Sequence, residues 1–336
     1  MKIKNKSNRV IWITFVAILM FAIYSCNNGN ENNKNGCGNN AIYYWRTIFR
    51  MNNYEREFLK KHNIRKMYVK FFDVSKTWDE EEAVPLATTI FIDSIPINLE
   101  IVPTIFITSE AIAVYPNFID KMLTRVFDMA EVNGIKFSEI QIDCDWTEQH
   151  AERYFSFMKE LKAKLAPKGI SLSTTIRLFQ LGYEIPAADY GVLMCYNTGN
   201  IKEWGTDNSI LDINDVKPYI DKLGKYKLPL SIAFPCFSWD VLFTENYKGK
   251  YMTGIEFNKF DFSNTEKFKK LSKNKYQVNN KLNYIRHEEP SIEEILDVKK
   301  MILKKMSSYT TQIIIYQLDS INLSKFSDKD VEKIYS

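Results

Sequence analysis

Two aspartates on one short apolar segment are the residues of this sequence best suited to chemistry. Asp143 and Asp145 lie in Glu139-Ile-Gln-Ile-Asp-Cys-Asp-Trp-Thr-Glu148, where apolar and polar residues alternate from 140 to 145. This alternation is typical of a strand and points Gln141, Asp143 and Asp145 to one side. Because carboxylates are costly among apolar groups, both aspartates are expected to face a pocket. Their stems would be about 6.6 Å apart, so mutual repulsion could keep one protonated as a general acid.

A structural role competes with the chemical one for Asp145. The run Asp145-Trp-Thr-Glu148 has the spacing of a capping box, in which Asp145 begins the next helix and Glu148 reaches back to it. Asp143 lies deeper in the strand and has no such alternative. Trp146 either lines the pocket or packs in the core.

The acidic segment is one of eight predicted strands that alternate with helices. This order, with acids at strand ends, predicts a single-domain α/β fold, a (β/α)8 TIM barrel with its chemistry at the carboxyl ends of the strands. The predicted strands cover 41–45, 66–73, 103–108, 140–145, 170–176, 191–197, 229–235 and 311–317, and the predicted helices cover 53–62, 117–132, 148–165, 212–223 and 291–306. An additional short strand is expected within 88–92.

Several further residues at predicted strand ends are candidates for the pocket. Asp73, Arg177, Gln317 and Asp319 each follow an apolar run. On the first strand, Tyr43, Tyr44 and Trp45 are expected either to stack against a sugar ring or to pack in the core.

Residues 243–289 are rich in Lys, Asn and aromatic residues, and they are too long for a barrel loop. We interpret them as an insertion after strand seven: a small lobe over the mouth, a mobile flap, or a surface decoration without function. Residues 324–336 are expected to form a C-terminal tail.

The first 40 residues predict an export signal and a tether. Four basic residues precede the apolar run Val10–Tyr24, and the sequence then reads Ile-Tyr-Ser-Cys26. This resembles the lipobox of bacterial lipoproteins, which implies a signal peptide over 1–25, lipid attachment at Cys26 and a bacterial cell-envelope protein anchored in a membrane. The alternative is a signal anchor with a chance cysteine. Residues 26–40, rich in Asn and Gly, then form a tether.

Composition excludes some function classes for the rest of the chain. The sequence is 45% hydrophobic and 14% aromatic, which suffices for a large core, and its net charge of +4 predicts no nucleic-acid partner. Cys144, Cys195 and Cys236 lie in or beside predicted strands and are expected to be buried thiols. The three histidines lack ligand spacing, so neither a metal nor a cofactor is expected.

Three strand ends together resemble the family 18 glycoside hydrolases, the chitinase-like barrels. Ile142-Asp-Cys-Asp-Trp146 is similar to the end of the family's Asp-x-x-Asp-x-Asp-x-Glu motif on strand four. Met194-Cys-Tyr-Asn197 is similar to Met-x-Tyr-Asp on strand six, and Ile315-Tyr316-Gln-Leu-Asp319 to the aromatic motif of strand eight. The resemblance spans residues 41–323 and implies a carbohydrate ligand.

The resemblance implies site roles, but the proton-donating glutamate of the family has no counterpart. In one register it falls at Thr147, and in the other at Asp145, with Gln141 and Asp143 behind it; Glu148 is one residue out of phase. Tyr196 and Asn197 would hold the acetamide that acts as nucleophile in the family. The resulting catalytic candidates are Asp143, Asp145 and Tyr196, and the substrate-binding candidates are Gln141, Trp146, Glu148, Asn197, Arg177, Tyr316, Gln317, Tyr44 and Asp73.

The sequence therefore supports two principal functions. The first is an envelope lipoprotein that hydrolyses a carbohydrate with Asp143 and Asp145. The second is a glycan-binding or surface-recognition protein on a barrel that has lost its acid. An unrelated hydrolase on a barrel is a third possibility.

Overall fold

A computed structural model describes residues 40–76, 83–114, 118–246, 249–279, 281, 283–306 and 312–336. Predictions on the signal peptide, on the lipid site Cys26 and on most of the tether lie outside these residues. The described residues belong to the compact unit Gly38–Ser336.

Eight parallel strands close into a barrel. In spatial order they run β1, β3, β6, β7, β8, β9, β10 and β16, and β1 pairs with both β3 and β16 to complete the ring. Their bounds are β1 Ala41–Tyr44, β3 Lys66–Lys76, β6 Glu100–Ile107, β7 Glu139–Asp143, β8 Ser171–Arg177, β9 Tyr190–Met194, β10 Leu230–Pro235 and β16 Ile313–Tyr316. The predicted (β/α)8 TIM barrel is confirmed.

Helices cover the outside of the barrel through their apolar faces. They are α1 Asn53–Lys61, α2 Ser109–Ala113, α3 Ile119–Val132, α4 Ala151–Leu165, α5 Ile213–Val216, α6 Ile220–Leu223, α7 Ile292–Lys305, α8 Ser320–Leu323 and α9 Asp328–Tyr335. A capping box formed by Ser291 and Glu294 begins α7, as its sequence predicts. The single helix predicted over 212–223 is instead two short helices joined by a 3-10 turn at Lys217–Tyr219, which contains Pro218.

Three strand segments lie outside the barrel ring proper. Strand β4 (Ala83–Leu86) pairs antiparallel with β3, and β2 (Ile48–Phe49) pairs with β5 (Ile90–Phe91), which lies in the predicted extra strand.

The insertion is a five-stranded antiparallel sheet. Its strands are β11 Trp239–Asn246, β12 Gly249–Glu256, β13 Phe268–Lys270, β14 Lys275–Val278 and β15 Asn283–Glu288, in the order β12-β11-β15-β14-β13. The sheet begins four residues before the compositional boundary at 243, because Trp239 and Asp240 already pair with β15.

The last residues are packed against the barrel. Helix α9 buries Val331, Ile334 and Tyr335, and the Tyr335 hydroxyl donates to the carbonyl of Ala41. The buried ammonium of Lys299 donates to the carbonyls of Lys333 and Ile334 at the end of α9. Residues 328–335 are thus part of the folded body.

Cys144, Cys195 and Cys236 are buried free thiols, as expected. In the part of the chain that the structure describes, no helix is both long and apolar enough to cross a bilayer.

Candidate functional site

Asp143 and Asp145 meet one arginine at the carboxyl end of the barrel. Asp143 is the last residue of β7, and its Oδ1 accepts a 2.6 Å hydrogen bond from Thr175 Oγ1 on β8. Arg177, two residues along the same face of β8, lies with Nη2 3.4 Å from Asp143 Oδ1 and donates through Nε to Asp145 Oδ1. The guanidinium therefore bridges both carboxylates.

The two aspartates differ in exposure. The side chain of Asp145 is 54% exposed and that of Asp143 is 5% exposed. Strand β7 ends at Asp143, so Asp145 belongs to the loop that follows, where its backbone carbonyl accepts from Ser109 Oγ at 3.1 Å. Asp145 can thus contact a ligand directly, whereas Asp143 lies buried beneath Asp145 at the end of β7.

Burial is the main cause of the pKa shift at Asp143. It raises the pKa of this carboxyl group, Arg177 opposes the rise, and the nearby charge of Asp145 adds to it. Burial also disfavours the charged form of Arg177, but Asp143 and Asp145 outweigh it and raise the pKa of the guanidinium. Repulsion between the aspartates, which their spacing predicts as the cause, therefore contributes less than burial to the raised pKa of Asp143.

An aromatic wall faces the acids. The rings of Tyr196 and Tyr316 lie 4.7 Å apart, and the Tyr196 ring is 5.9 Å from the guanidinium carbon of Arg177. The Tyr316 ring also lies 5.6 Å from Tyr43 and 6.0 Å from Trp45. The peptide bond between Tyr316 and Gln317 is cis.

A cavity of about 360 Å³ opens between Asp145 and Tyr196. Asn197 lines it from a left-handed backbone conformation (φ 55°), which asparagine tolerates better than most residues. The other lining residues are Asp145, Thr147, Arg177, Leu178, Phe179, Tyr196, Thr198 and Tyr219. Asp145, Arg177 and Tyr196 therefore share one concave surface, and the buried Asp143 lies outside its lining.

Below the acids, Gln141 is fully buried inside the barrel. Its Oε1 accepts from the Tyr43 hydroxyl at 2.8 Å and from Thr104 Oγ1 at 3.4 Å, while its Nε2 has no hydrogen-bond partner among the described residues. Gln141 supports the floor of the site and is too deep to contact a ligand at the mouth.

Two other predicted residues lie on the barrel's inner side. Asp73 pairs with the buried Lys70 at 3.1 Å, and its charge contributes to the raised pKa of Asp143. Gln317 uses its side-chain oxygen to accept the backbone N–H of Trp45 at 3.1 Å. Gln317 therefore joins the ends of β16 and β1.

Three further predicted substrate contacts lie away from the cavity, and for Trp146 and Tyr44 the structure has the core packing that the sequence left open as the alternative. Trp146 is fully buried and packs on Tyr154 and Phe155 of α4, because it projects to the opposite side from Asp145. Tyr44 is also fully buried and faces away from Tyr43, with its hydroxyl donating to the carbonyl of Ile48. Glu148 is exposed in a 3-10 turn and is absent from the residues that line the cavity.

The capping alternative for Asp145 is wrong. Thr147 occupies the N-cap position of that turn and makes no side-chain capping bond, while Asp145 pairs with Arg177. Asp319 does cap a helix, because its carboxylate accepts the backbone N–H of Asn322 in α8. Asp319 therefore has a structural role.

Thr175 and Thr147 were not anticipated as site residues. Thr175 could have been found from strand parity, since it lies two residues before Arg177 on the same face. Within the described ranges, no group of three or more His, Cys, Asp or Glu side chains is placed to hold a metal ion.

Comparison with solved structures identifies the fold. The spore cortex-lytic enzyme SleL of Bacillus megaterium QM B1551 aligns with a TM-score of 0.54 and 13% identity over 89% of this chain and 74% of that one. A chitinase from Chromobacterium violaceum ATCC 12472 aligns with a TM-score of 0.54 and 12% identity, over 88% and 98%. This protein has a chitinase-like barrel.

The same fold also occurs in a protein named as an agglutinin. The chitinase-like agglutinin RobpsCRA from Robinia pseudoacacia aligns with a TM-score of 0.53 and 11% identity, over 88% of this chain and 99% of that one. No protein-family model and no curated protein sequence matches the chain. At these identities the comparison establishes the fold alone, a chitinase-like barrel.

Proposed function

We propose that the mouth of this chitinase-like barrel binds a saccharide without cleaving it. The observation that carries the proposal is the bridge from Arg177 to both Asp143 and Asp145, which opens on a cavity walled by Tyr196. Ionised carboxylates accept hydrogen bonds from sugar hydroxyls, and tyrosine rings pack against the apolar faces of pyranoses.

The bridge explains why binding is favoured over hydrolysis. A general acid donates a proton to the leaving oxygen, whereas Asp145 accepts the Nε–H of Arg177 in this structure. The residue at the first possible position of the family's glutamate is Thr147, whose hydroxyl is too weak an acid for that step. Asp145 is therefore an acceptor for hydroxyl groups.

Hydrolysis is the second candidate because burial raises the pKa of Asp143. In this alternative Asp143 is the carboxyl group whose raised pKa favours holding a proton, and Asp145 is the group that reaches the glycosidic oxygen. The register with Asp145 in the position of the family's glutamate fits this role, since Asp143 and Gln141 lie in sequence beneath it.

The test is calorimetric titration with N-acetylglucosamine oligomers, chosen because chitinases and a chitinase-like agglutinin share the fold. We expect binding that Tyr196→Ala weakens by about 10- to 100-fold, through loss of the ring and its hydroxyl. Tyr44→Phe is the control, because the Tyr44 ring on β1 is buried and faces away from the mouth. No binding to any oligomer, or equal loss in both variants, would refute a saccharide site at the mouth.

Product analysis on the same oligomers separates the two candidates. Turnover that disappears in both Asp143→Asn and Asp145→Asn would replace the binding proposal with hydrolysis. Binding without products over a long incubation supports the non-catalytic function.

We further propose that the protein is a bacterial envelope lipoprotein anchored through Cys26. The support is the basic and apolar leader that ends in Ser25-Cys26. Labelling of expressing cells with an alkyne fatty acid should mark the protein, and Cys26→Ser should abolish the label. Cys37→Ser is the control that should keep it.

A further inference from the structure

The end of the barrel opposite the mouth carries an excess of positive charge. We call this end the basal face: it consists of the segments that lead into the amino ends of the barrel strands, and the last turns of the helices before them adjoin it. Five exposed cations lie on these segments: Arg65, Lys136, Lys168, Lys225 and Lys227. Lys304 and Lys305 are left out because they lie in the last turn of α7, where they offset the helix dipole.

Acids at the basal face are largely neutralised by other lysines. Glu100 pairs with Lys66 at 3.6 Å, Asp189 with Lys162 at 2.8 Å and Asp221 with Lys305 at 2.8 Å. Among the described residues, the five basal cations have no ion-pair partner, and two exposed acids, Glu131 and Glu184, remain against them.

This excess is local, because the body as a whole is neutral. Residues 1–40 contain five of the 45 Lys and Arg residues and one of the 41 Asp and Glu residues, so residues 41–336 carry 40 of each. The basal excess is therefore offset by acids elsewhere in the body, and a local excess of this kind can orient a protein near a charged surface.

The basal face also holds the two most exposed large apolar side chains of the described residues. Ile97 is 91% exposed in the turn that leads into β6, and Val132 is 83% exposed at the end of α3. Apolar side chains among lysines are the composition of surfaces that insert shallowly into the headgroup region of a bilayer.

The described chain starts at this same face. Asn40 immediately precedes β1, its side chain donates to the carbonyl of His62, and its carbonyl accepts from the Arg65 backbone N–H. The stretch from Cys26 to Asn40 spans at most about 50 Å when extended. A lipid on Cys26 would therefore hold the basal face close to its membrane.

From these observations we propose that the basal face docks on the surface of an anionic phospholipid bilayer and turns the barrel mouth away from it. The lysines and Arg65 contact lipid phosphates, and Ile97 and Val132 enter the interface. The proposal does not depend on the saccharide site.

The test uses residues 38–336, which form one compact unit with its own closed core and carry no lipid. In flotation with vesicles of phosphatidylcholine containing 30% phosphatidylglycerol, we expect the protein to float with the vesicles at low salt and to be released at about 0.5 M salt. Vesicles of phosphatidylcholine alone should not retain it. Failure to float with the anionic vesicles would overturn the proposal, whether or not Cys26 is lipidated in cells.

Variants locate the contact. Each basic residue near an anionic surface contributes about fivefold in partitioning, so Lys136→Glu with Lys168→Glu should weaken binding at least about 25-fold. Ile97→Ser with Val132→Ser should weaken it about tenfold. The matched control is Lys269→Glu with Lys270→Glu on β13 of the inserted sheet, which makes the same charge change elsewhere. Equal weakening by the control pair would refute a basal contact.

Discussion

Two arginine-carboxylate clusters, one at the barrel mouth and one on strand β15 of the inserted sheet, differ in how many of their polar atoms have hydrogen-bond partners. In the inserted sheet, Arg286 donates through Nε to Glu288 and through its two Nη atoms to the carbonyls of Glu203 and Ile201. Glu288 Oε2 accepts from the Ser209 backbone N–H and the Trp239 indole, both at 2.8 Å. Arg286 and Glu288 are fully buried.

The cluster at the mouth is incomplete by the same measure. Arg177 Nη1 has no hydrogen-bond partner in the described part of the chain, and Asp145 is more than half exposed. A saturated, buried cluster holds the fold together, whereas an unsaturated one beside a cavity is available to a ligand. This difference favours a structural role for Arg286 and supports the binding role proposed for the site around Arg177.

The largest expected effect tests the structural side. Arg286→Met should lower the free energy of unfolding by about 3–5 kcal/mol, because it leaves Glu288 buried and unpaired. Arg177→Met, the matched change at the mouth, should cost less, since Asp145 is exposed to water and the buried Asp143 keeps its hydrogen bond from Thr175. Denaturant unfolding of both variants checks this. Equal costs would remove the distinction between the clusters.

A second effect concerns His287, next to Arg286 on β15. Its Nδ1 lies 2.7 Å from Asp240 and its Nε2 3.6 Å from Glu289, and hydrogen bonds to these two carboxylates raise its pKa to about 9. A raised folded-state pKa stabilises the protein fully below the unfolded value near 6.5, and this stability is lost as pH rises through about 9.

Unfolding free energy should therefore fall by up to about 3 kcal/mol between pH 6.5 and pH 9. His287→Gln should flatten the profile over this window, while His150→Gln, in the exposed turn after β7, should leave it unchanged. A wild-type profile that is flat between these pH values would show that the imidazole is not held protonated.

At the mouth, Asp145→Asn should weaken saccharide binding about tenfold, because a charge-assisted hydrogen bond becomes a neutral one. Its unfolding free energy should change by less than about 1 kcal/mol, as is usual for an exposed ion pair. Calorimetric titration and denaturant unfolding of the same preparation measure the two quantities. Destabilisation comparable to that of Arg286→Met would place Asp145 with the structural cluster.

The smallest expected effect separates the two tyrosines of β1. Tyr44→Phe should cost about 1 kcal/mol of stability, because the backbone groups of Ile48 and Arg50 lose their hydroxyl partner. Saccharide affinity should not change, since this ring faces away from the mouth. A changed affinity with unchanged stability would contradict the orientation of β1.

Much of the fold could be predicted from the alternation of side chains along the strands. The alternation around Asp143 gave the correct inward face, and the succession of strand and helix signals gave the barrel. The alternation of side chains between two faces does not hold beyond the end of a strand, however. Trp146 follows directly on Asp145, and its rotation into the core depends on Tyr154 and Phe155 of α4, ten residues away or less in sequence but on another element.

Features that depend on alignment between strands could not be read from one segment. The bridge from Arg177 to both aspartates requires the parallel register of β7 and β8, in which Gln141 lies opposite Ser173. The insertion shows the same limit: its composition left a lobe, a flap and a surface decoration open, and its sheet order depends on pairing between segments over 40 residues apart, such as Trp239 with Glu288. Local patterns do not encode these distances.

The contacts of Arg286 also bear on whether the insertion can move as a flap. By holding the carbonyls of Ile201 and Glu203, this side chain joins the loop after β9 to the inserted sheet. That loop continues directly from Asn197 and Thr198, which line the cavity. Movement of the insertion as a flap would break these hydrogen bonds of a buried guanidinium, so the contacts favour an inserted sheet that stays fixed beside the barrel mouth.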